Sequence, residues 1–326
     1  MINTTFETSS PVIKDRIHAI DTFRGFSILI MVVFNYAMGV KTLPAWMKHS
    51  TDIGMTFPDL GTTVFVFAIG LTFGLSFRRR MVKDGFSATI GHFIRRYLAI
   101  LGLGAIIAAG ETMLGFSRYA VSWGVLQAIG CAGLLTMLVI LLPPWTRLLI
   151  GVGLLAAYQF FLDTFWLDLV LRSTHGGLPG ALSWTSILIF ATFFGDLYLK
   201  ESSRKWFPFA AILTLAAGLA LALVVPVSKP RVSASYDLIT IGFSGIVFSI
   251  FYLTRFKLNF FAAWGKNPLL LYTLSYLLIG IFVVPGVPWW HSQAPLWLVG
   301  LQALFIVSAL GILAMRWQKH DFIFSM

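Results

Sequence analysis

The sequence predicts an all-α, polytopic transmembrane helix bundle of about ten spans, with both termini on the cytoplasmic side. Three observations predict it. Only 11% of the 326 residues are charged and 58% are hydrophobic, whereas a soluble domain carries about 25% charged residues. The hydrophobic residues gather in runs of about 17 to 25, near the ~20 that a helix needs to cross ~30 Å of hydrocarbon. The basic residues lie between these runs and favour every second connection. A closed β-barrel also satisfies its backbone in lipid, but it alternates apolar and polar residues; stretches such as 210–225 do not alternate.

Ten runs qualify: 20–40, 60–77, 97–113, 122–142, 148–163, 182–199, 207–227, 236–253, 268–284 and 296–315. The fifth is the shortest and ends in Gln159 and Asp163. Of the 24 Lys and Arg, seventeen fall in the N-terminal segment, in alternate connections and after the last run; they include Arg78, Arg79, Arg80, Lys83, Arg95, Arg96 and Arg147. Six fall on the other side (Lys41, Lys48, Arg118, Arg172, Lys229 and Arg231), and Arg24 lies inside the first run. The positive-inside rule then puts both termini in the cytoplasm. The first run carries Asp21 and Arg24 and no small-residue cleavage pattern follows it, so no cleavable signal peptide is expected. With no repeat or linker visible, the simplest division is a cytoplasmic tail at 1–19, one membrane domain at 20–315 and a cytoplasmic tail at 316–326.

The composition excludes several classes. A net charge of +11 would suggest nucleic acid on a soluble protein, but here topology accounts for it, and no nucleic-acid partner is expected. The single cysteine, Cys131, rules out an intrachain disulfide and a thiolate metal cluster. GxxxxGK[ST], HExxH and GxSxG are absent, and His18, His92 and His320 lack metal-ligand spacing. No metal is expected.

Ionisable and amide groups inside hydrocarbon need a partner or a wet cavity. Asp21 and Arg24 stand three apart on one helix face, which suits a local ion pair or an arginine aimed at a phosphate-bearing ligand. Asn35, near the outer end of the first run, is either interhelical glue or functional. His49, Asp52 and Asp59 form the densest outer-side cluster of titratable groups. A histidine beside a carboxylate makes an acid–base pair, while Asp59 also suits a helix N-terminus. Gln127 is glue or a cavity wall. Asp196 is placed to pair with Lys200. Asp163, Asp168, Arg172 and His175 share an outer loop that either lines a substrate mouth or is simply exposed. Lys229 and Arg231 oppose the charge rule, which favours an anionic ligand there.

The run from Arg16 through Asp21, Arg24 and Gly25, followed by Asn35, resembles the opening of the heparan-α-glucosaminide N-acetyltransferase family, within the wider transmembrane acyltransferases. The resemblance continues through His49, Gly54, Thr56, Asp59-Leu60, Phe65-Val66-Phe67 and Gly70. Later pieces are Gly124-Val125-Leu126-Gln127, then Ser233-Ala234-Ser235-Tyr236 after Lys229, and Gly265-Lys266-Asn267-Pro268. It is dense over the first 75 residues. Where the family usually has an aromatic–Asn pair before the glycine matched by Gly54, this chain has Asp52-Ile53, and Gly61-Thr62-Thr63 stands where the family has Val-Phe-Pro.

The resemblance implies transfer of an acetyl or short acyl group from cytosolic acetyl-CoA to a sugar or amino-sugar acceptor across the membrane. It implies His49 as the catalytic histidine and Asn35 as an oxyanion donor, with Asp59 or Asp52 orienting His49. Arg24, Gln127, Lys229, Arg231, Ser235, Tyr236 and Asn267 are the candidate donor-binding residues. The expected partners are the lipid bilayer of a plasma or inner membrane and a glycan acceptor, and a homodimer is left open. A transporter or flippase for a polar or lipid-linked sugar is the competing class, against which the missing inverted repeat counts.

Overall fold

The computed structural model describes residues 11–113, 123–254 and 258–324, with side chains from His18 onward. Ser122, the expected start of the fourth span, and Arg118, Arg255 and Lys257 of the charge tally lie outside the described residues, as do the ends of both expected tails. The architecture is all-helical, and the described residues form no strand beyond an isolated bridge between Gly54 and Ser228.

The chain runs through α1 (Pro11–Ala37), α2 (Phe57–Asp84), α3 (Phe86–Met113), α4 (Val125–Met137), α5 (Pro144–Phe161), α6 (Leu167–Leu171), α7 (Gly177–Leu199), α8 (Phe207–Leu221), α9 (Ala234–Leu253), α10 (Asn259–Lys266), α11 (Pro268–Val283) and α12 (Leu296–Lys319). Among the described residues eight helical segments are long and apolar enough to cross a membrane, and the bent pair α10–α11 makes a ninth.

Three expected spans are redrawn. The fourth reaches only 13 residues as α4, about 20 Å of helix, because the apolar run continues through turns at 138–142 before Pro143 and Pro144. The fifth is longer than its apolar run. A π turn (Leu162–Trp166) joins α5 to α6 into one segment, Pro144–Leu171, and Gln159 pairs with Asp163 at 2.9 Å instead of ending it. The ninth is preceded by α10, which lies between the expected spans 236–253 and 268–284. Asn267, held out of the helical region by Pro268, makes a 91° bend.

The packing follows from side-chain size. α7 is buried along almost its whole length, as expected for a helix apolar all round at a bundle centre. α3, α5 and α8 instead turn Leu98, Ile106, Leu149, Val152, Phe160, Ile212, Leu213 and Leu219 outward, an apolar surface far beyond what a soluble monomer exposes. α1 meets α10 backbone to backbone: a Cβ on Gly25 would fall 1.8 Å from Phe261 O, and one on Gly265 would fall 1.9 Å from Asp21 O. Arg24 crosses this contact, bonding Asp21 at 2.9 Å, Gly265 O at 3.3 Å and Thr72 on α2 at 3.0 Å.

Arg147 and Asp196 correct two further expectations. Arg147 does not lie in a loop. Its side chain is fully buried on α5, where it pairs with Asp196 and donates to Thr192 Oγ1 at 2.9 Å. Asp196 takes this arginine and Arg78, at 3.4 Å, rather than Lys200.

The glycine contact makes a prediction. Gly25→Val forces α1 off α10, so the thermal unfolding midpoint in detergent is expected to fall by an amount typical of ~1–3 kcal/mol of overpacking. Gly102→Val, whose Cβ meets nothing within 4 Å, is expected to leave the midpoint unchanged.

Candidate functional site

α2 begins with a cap that also builds the site. Thr56 is extended, Pro58 stands in the first turn, and Asp59 is the third helical residue. Asp59 turns its carboxylate back to its own helix start, where Oδ2 accepts the Thr56 N–H at 3.0 Å. The same oxygen accepts the Ser50 N–H at 3.2 Å and lies 2.9 Å from the Thr56 hydroxyl. Oδ1 is left for His49 Nδ1, at 2.7 Å. Asp59 is fully buried, and the His49 side chain keeps 30% exposure.

Lys229 arrives from the loop before α9. Its Nζ lies 3.2 Å from His49 Nδ1 and 3.6 Å from Asp59 Oδ1. A carboxylate only accepts and an ammonium only donates, so the shorter contact assigns the Nδ1 proton to the bond with Asp59. Nε2 then carries the lone pair, and among the described residues nothing bonds to it. Burial and the Lys229 charge push the His49 pKa below its ordinary value, against the opposing pull of Asp59. Burial likewise lowers Lys229, again opposed by Asp59. The ring is therefore a neutral base at neutral pH.

A neighbouring strap fixes this corner. Gly54, with φ 107°, donates its N–H to Val227 O at 2.8 Å. Arg231 binds Asp52 through two nitrogens, Nε at 2.7 Å, and Ser228 donates to the same carboxylate at 3.1 Å. The Arg231 bond holds the Asp52 carboxyl below its usual range and raises Arg231 in turn. Asp59, not Asp52, therefore orients His49. Tyr236 donates to Asp59 O at 2.7 Å and lies 3.2 Å from Thr63 Oγ1. The two departures from the family pattern thus meet partners across the bundle, Asp52 with Arg231 and Thr63 with Tyr236. Ser235 is buried at the start of α9, 3.2 Å from Ser233 Oγ.

Asn35 is near the end of α1. Phe34 beside it packs edge-on against Phe57, with ring centroids 5.5 Å apart, two residues before Asp59. Asn35 Nδ2 is buried with no acceptor, and the Tyr272 hydroxyl lies 3.0 Å from that of Tyr276. Tyr272, Tyr276, Glu111 and Gln127 line a small cavity between α3, α4 and α11. Gln127 turns Oε1 to the Gly124 N–H at 2.6 Å.

The remaining candidates lie elsewhere. Arg24 is eleven residues before Asn35 on α1, about 16 Å along the axis, and its bonds join α1 to α2 and α10. Asn267 binds the chain itself, donating to Phe322 O at 2.9 Å and accepting from Phe324 N at 2.7 Å. The structure thus brings together His49, Asp59, Lys229 and Tyr236, seats Gln127 beside Tyr272, buries Asn35 near the end of α1, and leaves Arg24 and Asn267 at the far end. Sequence reasoning missed Thr56, although Thr56-x-x-Asp59 before an apolar run is a capping-box signature. The outer loop that holds His175, read from the sequence as a substrate mouth or simply exposed, packs through Gly176 against Val232 of the Lys229 loop.

After burial, Lys229 is the next influence that lowers the His49 pKa. Lys229→Gln removes the cation and leaves Asp59 to favour the imidazolium, so the pKa rises. The pH midpoint of His49 carbethoxylation, read by mass spectrometry, is expected to move to higher pH; a midpoint that stays or falls contradicts the assignment.

Comparison with known proteins follows the same geometry. Residues 16–188 match the family described as heparan-alpha-glucosaminide N-acetyltransferase, catalytic. The heparan-alpha-glucosaminide N-acetyltransferase of Mus musculus is 32% identical over 124 residues, 36% of this chain and 18% of that protein. Its Homo sapiens counterpart is 32% identical over 123 residues, 35% of this chain and 17% of that protein. The chain spans under a fifth of the length of either relative in these matches. Because the family match runs through α1, His49, Asp59 and on into α7, over more than half of the residues, the chain belongs to the heparan-alpha-glucosaminide N-acetyltransferase catalytic family.

Proposed function

We propose that this chain is a membrane acyltransferase that moves an acetyl or short acyl group from cytosolic acyl-CoA to a sugar or amino-sugar acceptor at the opposite face. Family membership supports the reaction class, and the charge bias supports cytoplasmic termini; the proposed location is a plasma or inner membrane. The observation that carries the reading is His49, its Nδ1 held by Asp59 and its Nε2 free, in the loop that follows α1, whose last turns carry Asn35 with Nδ2 unpartnered.

His49 Nε2 takes the proton of the attacking amine or hydroxyl. The acceptor atom bonds to the thioester carbon, and Asn35 donates to the oxygen that becomes negative. When the tetrahedral intermediate collapses, the C–S bond breaks and the thiolate takes the proton from His49. Asp59 keeps Nδ1 protonated throughout, and Lys229 next to the ring favours return of the proton. The helices α2, α7 and α9 begin at this end, so their positive N-termini favour the developing oxyanion. Transfer through an acyl group held briefly on Nε2 uses the same residues.

Purified protein supplied with acetyl-CoA and a panel of amino sugars is expected to release free CoA. His49→Ala is expected to lower the rate by about 10²–10⁴, and Asn35→Leu by about 10²–10³. If the wild type releases no CoA above background with any acceptor, the reading fails; sugar uptake into vesicles that persists in His49→Ala points to transport instead.

A further inference from the structure

The loop that carries Lys229 contains a strained residue. Val232 lies in the left-handed region, φ 49°, where a β-branched residue stays only if its surroundings hold it. It is fully buried and fills a notch at the start of α7. A Cβ on Gly176 would fall 3.0 Å from Val232 Cγ2, and one on Gly180 would fall 3.6 Å from the same atom. The Val232 N–H closes a turn on Lys229 O at 3.0 Å. The Lys229 side chain leaves this turn with Nζ 3.2 Å from His49 Nδ1 and 3.6 Å from Asp59 Oδ1.

The Val232 carbonyl is held from α7. Ser183, one turn after Gly180, brings Oγ to 2.9 Å from Val232 O. The same Oγ lies 2.7 Å from Asp237 Oδ2 on α9. Both distances are those of O–H···O bonds, and a serine hydroxyl has one hydrogen. A carboxylate at Asp237 could only accept, so that one hydrogen would have to serve two acceptors. A protonated Asp237 satisfies both contacts: its O–H donates to Ser183 Oγ, and the Ser183 O–H donates to Val232 O.

The surroundings of the carboxyl agree. Ser183 and Asp237 are both fully buried, and a carboxylate taken out of water needs a cation or several donors. Among the described residues no cation pairs with Asp237, Ser183 is its one side-chain partner, and Oδ1 has none. Asp237 stands in the first turn of α9 without capping it, because Ser233 Oγ accepts the Tyr236 N–H there. Asp59 shows what a buried carboxylate requires in this protein: the Ser50 and Thr56 N–H groups, the His49 ring and Lys229 all surround it.

We propose that Asp237 is a neutral carboxylic acid and a positioning residue of the site, acting through Ser183 to hold the Val232 turn that sets Lys229 beside His49. A charged Asp237 would draw the Ser183 hydrogen away from Val232 O, and the strained turn would lose its bond to α7. The acid thus fixes the lysine without adding a second negative charge to the corner. Its bearing on catalysis rests on the acyltransferase reading above, whereas the hydrogen-bond chain does not, and both tests are made without turnover.

Infrared difference spectra of wild type against Asp237→Asn, in detergent at neutral pH, isolate this side chain. They are expected to show a carboxylic-acid C=O band above the amide bands that shifts down in heavy water; carboxylate bands alone overturn the proposal. Should Asp237→Asn not fold, Ser183→Ala against wild type gives the same test, because it removes the acid's bonding partner and moves the band. The positioning role is read on the pH midpoint of His49 carbethoxylation. Ser183→Ala breaks the chain and is expected to raise that midpoint, in the direction of Lys229→Gln and by no more. In the Lys229→Gln background Ser183→Ala is expected to change nothing further. No shift in the wild-type background, or the same shift in both, overturns the role, since a general loosening of the bundle does not act through Lys229.

Discussion

The site depends on one carboxylate performing two tasks. Asp59 closes the first turn of α2 through Oδ2 and fixes His49 through Oδ1. A helix N-terminus supplies N–H donors that need an acceptor, and a free imidazole needs a partner to choose its tautomer. Because the capping geometry fixes where Oδ1 points, the His49 ring takes its orientation from a rigid helix rather than from its own loop. Lys229 completes the arrangement. It compensates the buried negative charge and, from the same position, adds to the effect of burial that lowers the pKa of the ring.

Around this centre the bundle divides into two ends. At the His49 end the loops before α2, α7 and α9 converge and leave polar atoms unsatisfied, Asn35 Nδ2 among them. At the Arg24 end two candidate residues are spent on the protein itself, while Trp264 Nε1 is buried there without an acceptor. Arg24 holds α1, α2 and α10 together, and Asn267 holds residues beyond α12.

The sequence made the bundle legible because hydrocarbon thickness imposes a length that composition displays directly. Its errors came where backbone chemistry, not hydropathy, ends a helix. Pro143 and Pro144 follow the turns that close α4, Pro268 bends α10 from α11, and the Gln159–Asp163 bond lets one segment continue through polar residues. His49 and Asp59 were legible because they are ten residues apart at a helix start. Lys229 was marked as unusual by its charge, but its partner, 180 residues away, could not be read from spacing. Arg147 showed the opposite error: counted as a loop cation, it is a buried residue whose carboxylate partner lies a helix away. Asp237, fully buried beside Ser183 with one oxygen unpaired, gave no signal in the sequence beyond its position after Tyr236.

The protonation of the His49 ring tests this account most directly. Nitrogen-15 spectra of histidine-labelled protein in detergent, with the His49 signals assigned by their loss in His49→Ala, report both ring nitrogens. At neutral pH the account predicts a protonated Nδ1 and an unprotonated Nε2, with this single tautomer lost in Asp59→Asn. A ring protonated at Nε2, or an imidazolium at neutral pH, would contradict it.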